Sequence, residues 1–468
     1  MENRAVEYPP MPLNLSPEDE RSIEKIADRL VAETLRANEE FAAQGHVADP
    51  SCWKTIKEKD HLVAYLDIAK SRCSNRERLW SEDTVVVASS PQNPTLYPTS
   101  DRDLQDLLRG GPLNTFDDSD SDDDSRSLHH DEFTKFGAKG GSDMSVLEKF
   151  RPDDVPIVFS SGVLPGTVED MAFSFLADTD ERSRMRFNTN KDFVVEDMRI
   201  LAKIHGPTRD NPFQFLGVKW CSHTSGRAAS LVVKPRDYLV IESTGMALDS
   251  NGERFSYLLN HSIEMNEVPT FRGFGQLRTI FSACHIIRPH KNPHSDGEFI
   301  EVFARGFLMI GGSFSIRMSA TQCADSFLQM PRSLEESYLK KLAWLMHDKL
   351  RWSSSSSNAS DSNTNTNTNS FSSNGSSRSM VEKSSVCSCC HAKISLRLGG
   401  FLERSSSCSL CRQTACYKCT VKKLLPVEGS RGRHMKKKEM EFCLNCYLRA
   451  KRLPAWHVAA ATLAKHSA

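Results

Sequence analysis

The chain of 468 residues lacks the sequence features that mark most membrane, secreted and catalytic proteins. No apolar run approaches the ~18 residues that a bilayer-spanning helix needs. The first twenty residues, MENRAVEYPPMPLNLSPEDE, contain no basic region followed by an apolar core, so we expect no signal peptide and a soluble, cytoplasmic protein. The motifs G-x-S-x-G, G-x-x-x-x-G-K-[ST] and G-x-G-x-x-G are also absent, so we do not predict an enzyme.

An excess of charge of one sign is also lacking, because 60 basic and 60 acidic residues cancel. The charge is nevertheless unevenly distributed. The segment from Val381 to the end contains 17 basic and 5 acidic residues, a net charge of +12, so the first 380 residues carry −12. A basic C-terminal segment either meets an anionic partner or balances negative charge within its own fold, and the sequence leaves both interpretations open.

Two low-complexity stretches divide the chain into a large body and a small module. The acidic run FDDSDSDDDSRS at 116–127 lies in a stretch without clear periodicity, so we predict a partly disordered insertion at about 74–150. Residues 353–385 are rich in Ser, Asn and Thr, which is typical of a flexible linker. We therefore predict one folded domain over 16–350 and a second over 386–450.

The pattern of the body predicts helices at both ends of an antiparallel meander. Ser16 followed by Pro17 is a helix start, and two strands follow Cys52. After VPIVFSSGVLPGT, which predicts a strand, and a helix at 168–178, six strand segments are separated by short turns. A long helix with a Ser333–Glu336 capping box then closes the body. Its apolar stripe comprises Leu334, Tyr338, Leu342, Leu345 and Met346.

Three successive segments resemble the START lipid-transfer family. They are KPRDYLVIESTG, ERFSYLLNHSIEM and GQLRTIFSACHIIRP, and the matching residues are Arg236-Asp237-Tyr238, Ser262-Ile263 and Arg278. The resemblance implies an α+β helix-grip fold over 16–350, in which a curved antiparallel sheet and the long C-terminal helix enclose a cavity for an unidentified lipid. Glu242, on an apolar strand, either orients a ligand in that cavity or faces water.

The C-terminal module is defined by cysteines. Nine of the 14 cysteines lie between Cys387 and Cys446, and in a reducing compartment such clustering favours metal over disulfides. Cys-x-x-Cys turns direct two thiolates to one point and suit tetrahedral Zn²⁺, so four pairs predict two closed, structural sites. The pairs are Cys387/Cys390, Cys408/Cys411, Cys416/Cys419 and Cys443/Cys446. Because the two central pairs are only four residues apart, we expect the first pair to join the third and the second to join the fourth. Cys389 would leave only one residue between ligands, so Cys390 is preferred.

This cysteine spacing resembles the FYVE family of zinc fingers over 386–450, which implies a cross-brace fold with two Zn²⁺ ions. FYVE domains bind phosphatidylinositol 3-phosphate through W-x-x-D, R-[RK]-H-H-C-R and R-V-C signatures. Here Ser405–Ser407, Ser409 and Glu441 occupy the basic positions, and the tryptophan and aspartate are absent. The resemblance therefore implies a finger that keeps its zinc scaffold and has lost its specific phosphate ligands.

A basic run in the module, RGRHMKKK, provides a second means of reaching a membrane. Its cations either contact an anionic surface, endosomal or other, or stay solvated; they are Arg431, Arg433, Lys436, Lys437 and Lys438. Taken together, the sequence predicts a non-enzymatic adaptor that binds a lipid and two zinc ions and recruits a membrane or protein partner, with no nucleic acid. The alternatives are a protein-interaction scaffold without bound lipid and a RING-like ubiquitin ligase.

Overall fold

The computed structural model of the chain forms two compact units. One comprises Met1–Leu334 and Leu463–Ala468, and the other Glu335–Thr462. Most of the predicted insertion, most of the predicted linker and residues Arg431 and Arg433 lie outside the described residues. The structure describes residues 8–68, 145–187, 193–225, 234–291, 297–312, 314–356, 386–394, 406–427 and 436–463.

Five α-helices and one short 3₁₀ helix (Arg272–Phe274) are described in the first unit. The first begins where the sequence predicts, because the Ser16 Oγ accepts a hydrogen bond from the Asp19 amide at 3.1 Å and the Asp19 side chain accepts one from the Ser16 amide. Three of these α-helices were not predicted: the second lies within the predicted insertion at about 74–150, the fourth is highly charged, and the fifth is rich in Ser, Thr and Ala. The helices are α1 (Pro17–Ala43), α2 (Val146–Phe150), α3 (Val168–Phe175), α4 (Asp180–Phe187) and α5 (Ile316–Phe327).

One ten-stranded sheet forms the centre of this unit, and the strands predicted from the sequence are all present in it. All neighbouring strands pair antiparallel except β8, which pairs with β6 in parallel. The order across the sheet is β1-β2-β3-β10-β9-β7-β6-β5-β4. The strands are β1 (Trp53–Lys59), β2 (Leu62–Asp67), β3 (Val158–Pro165), β4 (Phe193–His205), β5 (Phe215–Ser225), β6 (Arg236–Leu248), β7 (Arg254–Ser262), β8 (Leu277–Arg278), β9 (Ile280–His290) and β10 (Phe299–Met309).

Alternation along these strands gives the sheet two chemically different faces. The α1 face, against which α1 packs over β7 and β9, carries large side chains. Among them are Phe159, Phe303, Phe307, Tyr257 and Trp220. The α3 face is covered by α3 over β6, β7 and β9 and by α5 over β3 and β10. It carries a mixture of small side chains, which include Ser160, Ala304, Ala283 and Ser256, and larger ones such as Leu258 and Ile287.

The residues that carry the START resemblance meet at one end of β6. The Asp237 carboxylate is fully buried and accepts hydrogen bonds from the Arg278 Nε–H and from the Trp220 indole N–H, both at 3.0 Å. Ser262 Oγ accepts a hydrogen bond from the Phe281 amide at 2.9 Å. These contacts tie β8 and the chain before it to the middle of the sheet, so the motif has a structural function.

We expect Asp237→Asn to lower the free energy of unfolding by about 3–5 kcal/mol, because it leaves the Arg278 guanidinium half-buried without its counter-charge. Urea denaturation of the full chain measures this loss. The matched control is Asp210→Asn, since Asp210 is an exposed carboxylate in a turn and its neutralisation should cost less than about 0.5 kcal/mol. Equal effects of the two substitutions would contradict the structural function of Asp237.

The second unit contains most of the long helix and the cysteine-rich module. The helix begins at Met330, three residues before the predicted cap, so Ser333 lies inside its first turn and does not cap it. The START resemblance implies that this helix and the sheet enclose a cavity, but Leu342 and Leu345 of its apolar stripe pack among the cysteines of the second unit. A periodic stripe identifies a buried face but not its partner. The elements are α6 (Met330–Ser356), β11 (Ser406–Ser407), β12 (Thr414–Ala415), β13 (Thr420–Val427), β14 (Lys436–Cys443), α7 (Leu444–Arg452) and α8 (Ala455–Leu463).

Candidate metal centre and sheet pocket

The structure gathers the eight paired cysteines into two groups of four. Within each group the sulfur atoms all lie within 4.8 Å of one another. The pairs interleave as the sequence predicts, and the groups are Cys387, Cys390, Cys416, Cys419 and Cys408, Cys411, Cys443, Cys446. One sulfur–sulfur distance in each group is 3.7 Å. A tetrahedral ion with metal–sulfur bonds of ~2.3 Å requires separations of about 3.8 Å, so both groups have the size of a closed four-thiolate site.

The first and second pairs lie in turns of the same conformation. The amides of His391 and Arg412, each directly after the second cysteine of a pair, donate to the carbonyl of the first cysteine at 3.0 and 2.9 Å. Both residues have a left-handed backbone, with φ of 57° and 66°. This turn brings the two sulfurs of a Cys-x-x-Cys pair together without help from distant parts of the chain.

Backbone amides stabilise the thiolate form of the first cysteine of such a turn. The amides of Cys389 and Cys416 each donate to Cys387 Sγ at 3.4 Å. Burial raises the pKa of the Cys387 thiol, but the amides of Cys390, Cys416 and Cys389 outweigh it and lower the pKa to about 6. A metal ligand must be deprotonated, so this amide environment favours metal binding at neutral pH.

The metal centre is supported by α6 and α7. Glu335 of α6 pairs with Lys423 at 2.6 Å and accepts a hydrogen bond from the Tyr447 hydroxyl at 2.9 Å. Lys341 donates to the carbonyl of Lys451 near the C-terminal end of α7 at 3.2 Å. The same helix provides Leu342 and Leu345 to the apolar core around the cysteines. Helix α6 is therefore part of the fold of this unit, although the sequence places it before the linker.

Cys408→Ser should unfold the second unit, because it removes a buried ligand shared by the pairs of one four-cysteine group. Cys389→Ser is the matched control, since Cys389 is half-buried and belongs to neither group. Elemental analysis of the full chain should give two metal ions for the wild type and for Cys389→Ser, and about one or none for Cys408→Ser. A full complement of metal in Cys408→Ser would contradict the assignment.

At one end of the α3 face lies a pocket of about 560 Å³. Its floor is apolar, being formed by the buried side chains of Val168, Met246 and Ile300. Charged residues of both signs surround its mouth, and they are Glu169, Glu253, Arg254, Lys291 and Glu298. An apolar floor with a mixed charged rim suits an amphiphile better than a small ion.

Farther along the α3 face, Glu242 is the centre of a closed ion network. Its two oxygens accept from Lys219 at 2.6 Å and from Arg186 of α4. The Lys219 ammonium also donates to the Ala177 carbonyl at 2.5 Å and to Ser183 Oγ at 3.0 Å, so its three protons are all used. The network fastens the α3–α4 segment to β5 and β6. Glu242 therefore neither faces water nor has a free oxygen with which to orient a ligand, and its contacts are structural.

Protonation of this network is set by burial and by its own charges. Burial lowers the pKa of Lys219 to about 8, against the opposing effect of Glu242. Burial would raise the pKa of Glu242, but Arg186 and Lys219 lower it below its usual value. A carboxyl whose folded-state pKa is depressed stabilises the fold above its unfolded-state pKa, and this contribution is lost as the pH falls through the folded-state value.

Glu242→Gln should destabilise the first unit by about 3–5 kcal/mol at pH 7, because two buried cations lose their counter-charge. The double variant Glu242→Leu/Lys219→Met should cost less than the single change, since it also removes one of those cations. Urea denaturation at several pH values measures both. The difference between wild type and Glu242→Gln should shrink below about pH 4.5, and a difference that stays constant there would contradict the ion network.

Sequence reasoning missed several residues of the α3 face. Lys219 and Arg186 were not identified, although a lysine inside the apolar strand FLGVKWCSH is itself an unusual feature.

In the second unit, Ser406 and Ser407 hydrogen-bond to neighbouring groups of the chain, and Glu441 pairs with Lys422 at 3.2 Å. Of the predicted membrane-facing cations, Lys438 is exposed, and the side chains of the other four are not among those the structure describes.

A comparison with solved structures finds similarity to START-related proteins. The chain is similar to human STARD10, with 9% identity over 71% of this chain and 81% of that chain, and a TM-score of 0.30. It is also similar to human StAR-related lipid transfer protein 5, with 14% identity, 66% and 93% coverage and a TM-score of 0.27. A STAR-related lipid transfer protein from Xanthomonas axonopodis has 11% identity, 60% and 96% coverage and a TM-score of 0.28.

No protein-family model and no curated protein matches the chain. Among the described helices, none has both the length and the apolar character that a membrane-spanning helix requires.

Proposed function

We propose that the chain is a non-enzymatic adaptor in which a START-like unit binds one lipid and a FYVE-like, cross-brace finger holds two Zn²⁺ ions. The observation that carries the lipid proposal is the α3 face. It is a sheet face covered by α3 and α5, with a pocket at one end whose buried lining residues Val168, Met246 and Ile300 are apolar. The three sequence segments that resemble START strands build that same sheet.

Zinc is the metal that best fits the two cysteine groups. Four thiolates at tetrahedral spacing suit Zn²⁺, and neither group has an open position for a substrate or water. Such closed sites are structural, so the ions would stabilise the second unit and take no part in a reaction. Eight ligands shared among four chain segments also supply the stability that a unit of this size lacks on its own.

The finger would bind membranes through non-specific electrostatic attraction and not through stereospecific contacts with a phosphoinositide headgroup. Ser406, Ser407 and Glu441 occupy positions where FYVE domains have basic residues, and each is already engaged within the finger. The remaining attraction would come from the basic run that contains Arg431, Arg433 and Lys436–Lys438. Binding of that kind does not discriminate phosphatidylinositol 3-phosphate from other anionic lipids, and endosomal localisation would then depend on the protein partner as well.

Native mass spectrometry of the full chain tests the lipid function directly. We expect a mass increment of one lipid in addition to two zinc ions, and loss of the lipid alone after organic extraction. A chain that stays lipid-free after incubation with mixed lipid vesicles would support the alternative, a protein-interaction scaffold. Autoubiquitination with a conjugating enzyme would instead indicate the RING-like alternative.

Liposome co-sedimentation tests the charge-based membrane contact. Binding should be similar for phosphatidylinositol 3-phosphate and phosphatidylserine vesicles of equal charge. It should also fall as salt rises, because the Debye length is only about 8 Å at physiological salt. The control is Lys438→Gln, which should weaken binding to both vesicle types equally. Selective, salt-resistant binding to phosphatidylinositol 3-phosphate would contradict the inference that the specific phosphate-binding residues are lost.

A further inference from the structure

Strand β13 of the second unit has one edge without a neighbouring strand among the described residues. Strands β13 and β14 pair with each other in a regular antiparallel register and with no third strand in that part of the chain. In such a pair every second residue of each strand directs its amide and carbonyl away from the partner strand. These outward groups can pair with an extended chain that is added to the edge of the sheet.

Two observations identify the outward residues of β13. The Ser409 amide donates to the Glu441 carbonyl at 2.7 Å, so Glu441 of β14 points away from β13. Lys422 lies directly opposite Glu441, and it must therefore direct its own amide and carbonyl away from β14. Leu424 and Pro426 follow in the same phase. Proline has no amide to donate and is found on edge strands with that position outward, which agrees with this phase.

The outward groups of Lys422 and Leu424 have no partner in the described part of the chain. No backbone hydrogen bond reaches either residue from outside the hairpin. The two residues therefore offer two amides and two carbonyls to an added strand. Their side chains are also open to solvent, since 53% of Leu424 and 52% of the Lys422 side chain are exposed. We call Lys422 and Leu424 the β13 edge.

The next residues of β13 are fixed by contacts inside the second unit. Lys423 pairs with Glu335 at 2.6 Å, and its ammonium lies 4.8 Å from the centre of the Tyr447 ring. Leu425 is buried in the apolar core around the cysteines. Because these contacts hold β13 in place, the edge is preformed, and only the added strand would lose conformational freedom on binding.

The charges nearest the β13 edge are positive. Lys422 belongs to the edge, and the exposed Lys418 precedes the strand by two residues. The acidic residues of the hairpin, Glu439 and Glu441, lie on β14 and are therefore one strand farther from an added chain. They bridge Lys422 at 3.3 and 3.2 Å, but these ion pairs are open to solvent and therefore weak. An added strand would meet lysines first, which favours carboxylates on that strand.

We propose that the β13 edge binds an extended acidic peptide of a partner protein by strand addition. The peptide would pair its backbone with the outward groups of Lys422 and Leu424, with a carboxylate beside the lysine and an apolar side chain beside the leucine. This inference rests on the proposed adaptor function for the recruitment of a partner, and it adds the surface and the chemistry of that partner. It does not depend on the lipid.

The test is equilibrium binding of fluorescently labelled peptides to the full, metal-loaded chain without lipid. The probe is the peptide TETVTETVT, and TKTVTKTVT is the charge-reversed control. At low salt the acidic peptide should bind about tenfold more tightly than the basic one.

Backbone methylation of the probe tests the strand pairing itself. One methylated peptide carries N-methyl groups on every threonine, and the other carries them on every glutamate and valine. One of the two should bind about tenfold more weakly than the unmodified probe and the other should not, because only one alternate set of amides faces the edge.

Substitutions in the hairpin separate edge pairing from folding. Leu424→Pro removes an outward amide without removing a bond between β13 and β14, and it should weaken binding of the acidic peptide about tenfold. Glu439→Pro is the matched control, because Glu439 lies opposite Leu424 and directs its amide to the other edge of the hairpin. It should bind the peptide at least as tightly as wild type. Lys422→Gln keeps the backbone and should weaken binding about threefold at low salt, with a smaller salt dependence.

The metal content of each variant shows whether the second unit has folded. If Leu424→Pro loses its metal, the methylated peptides test the same pairing on the unchanged chain. Equal binding of both methylated peptides, a basic peptide that binds as tightly as the acidic one, or a metal-loaded Leu424→Pro chain that binds like wild type would overturn the peptide site. A wild-type dimer that Leu424→Pro dissociates would overturn it in favour of a second copy of the chain.

These outcomes are distinct from failure of the proposed function. Native mass spectrometry measures lipid and metal on the same protein without any peptide. A chain that carries lipid and two metal ions but binds neither peptide would overturn the β13 edge and leave the proposed function intact. A chain with neither lipid nor metal would overturn the proposed function itself.

Discussion

The alternation of side chains along β7, β9 and β10 determines which residues each helix layer of the first unit packs against. Because the register is continuous across these strands, Tyr257, Phe303 and Phe307 lie on the α1 face, whereas the α3 face carries a mixture of small residues such as Ser256 and Ala304 and larger ones such as Leu258. The α1 face packs against one long amphipathic helix. The α3 face is covered by two shorter helices, α3 over β6, β7 and β9 and α5 over β3 and β10. A slip of one residue would exchange the two sets, so the register determines which helices each set of side chains meets.

Polar groups on the α3 face follow two different rules. The charged ones are paired, with every ammonium proton of Lys219 and both oxygens of Glu242 used inside the chain. Among the neutral ones, Thr244 donates to the Phe213 carbonyl at 3.0 Å, whereas the hydroxyls of Ser160 and Ser256 have no hydrogen-bond partner among the described residues. Charged groups must be paired because an isolated buried charge costs far more than an isolated hydroxyl. The chain can therefore tolerate a few unpaired neutral groups where it could not tolerate an unpaired charge.

Local sequence signals predicted much of this structure, and contacts between distant segments account for what they missed. Cys-x-x-Cys spacing, the Ser16 cap and the strand alternation all act over a few residues, and each is present where predicted. The pairing of Lys219 with Glu242 and Arg186 depends on register and helix placement, which no local pattern encodes. Glu242 was predicted to orient a ligand or to face water, and both interpretations are wrong because it is buried and paired with Lys219 and Arg186. The charged helix α4 was missed because tertiary contacts to β4 and β6, and not an apolar stripe, hold it in place.

Helix α6 shows how the second unit combines two weak sources of stability. Four-thiolate sites fix the positions of eight cysteines but bury little apolar surface. Leu342 and Leu345 supply that surface, and Glu335 binds both a strand lysine and the Tyr447 hydroxyl. Metal binding would be cooperative with helix packing, because each would lower the entropy cost of the other by ordering the same residues. The second unit therefore includes a helix that its cysteine spacing alone does not reveal.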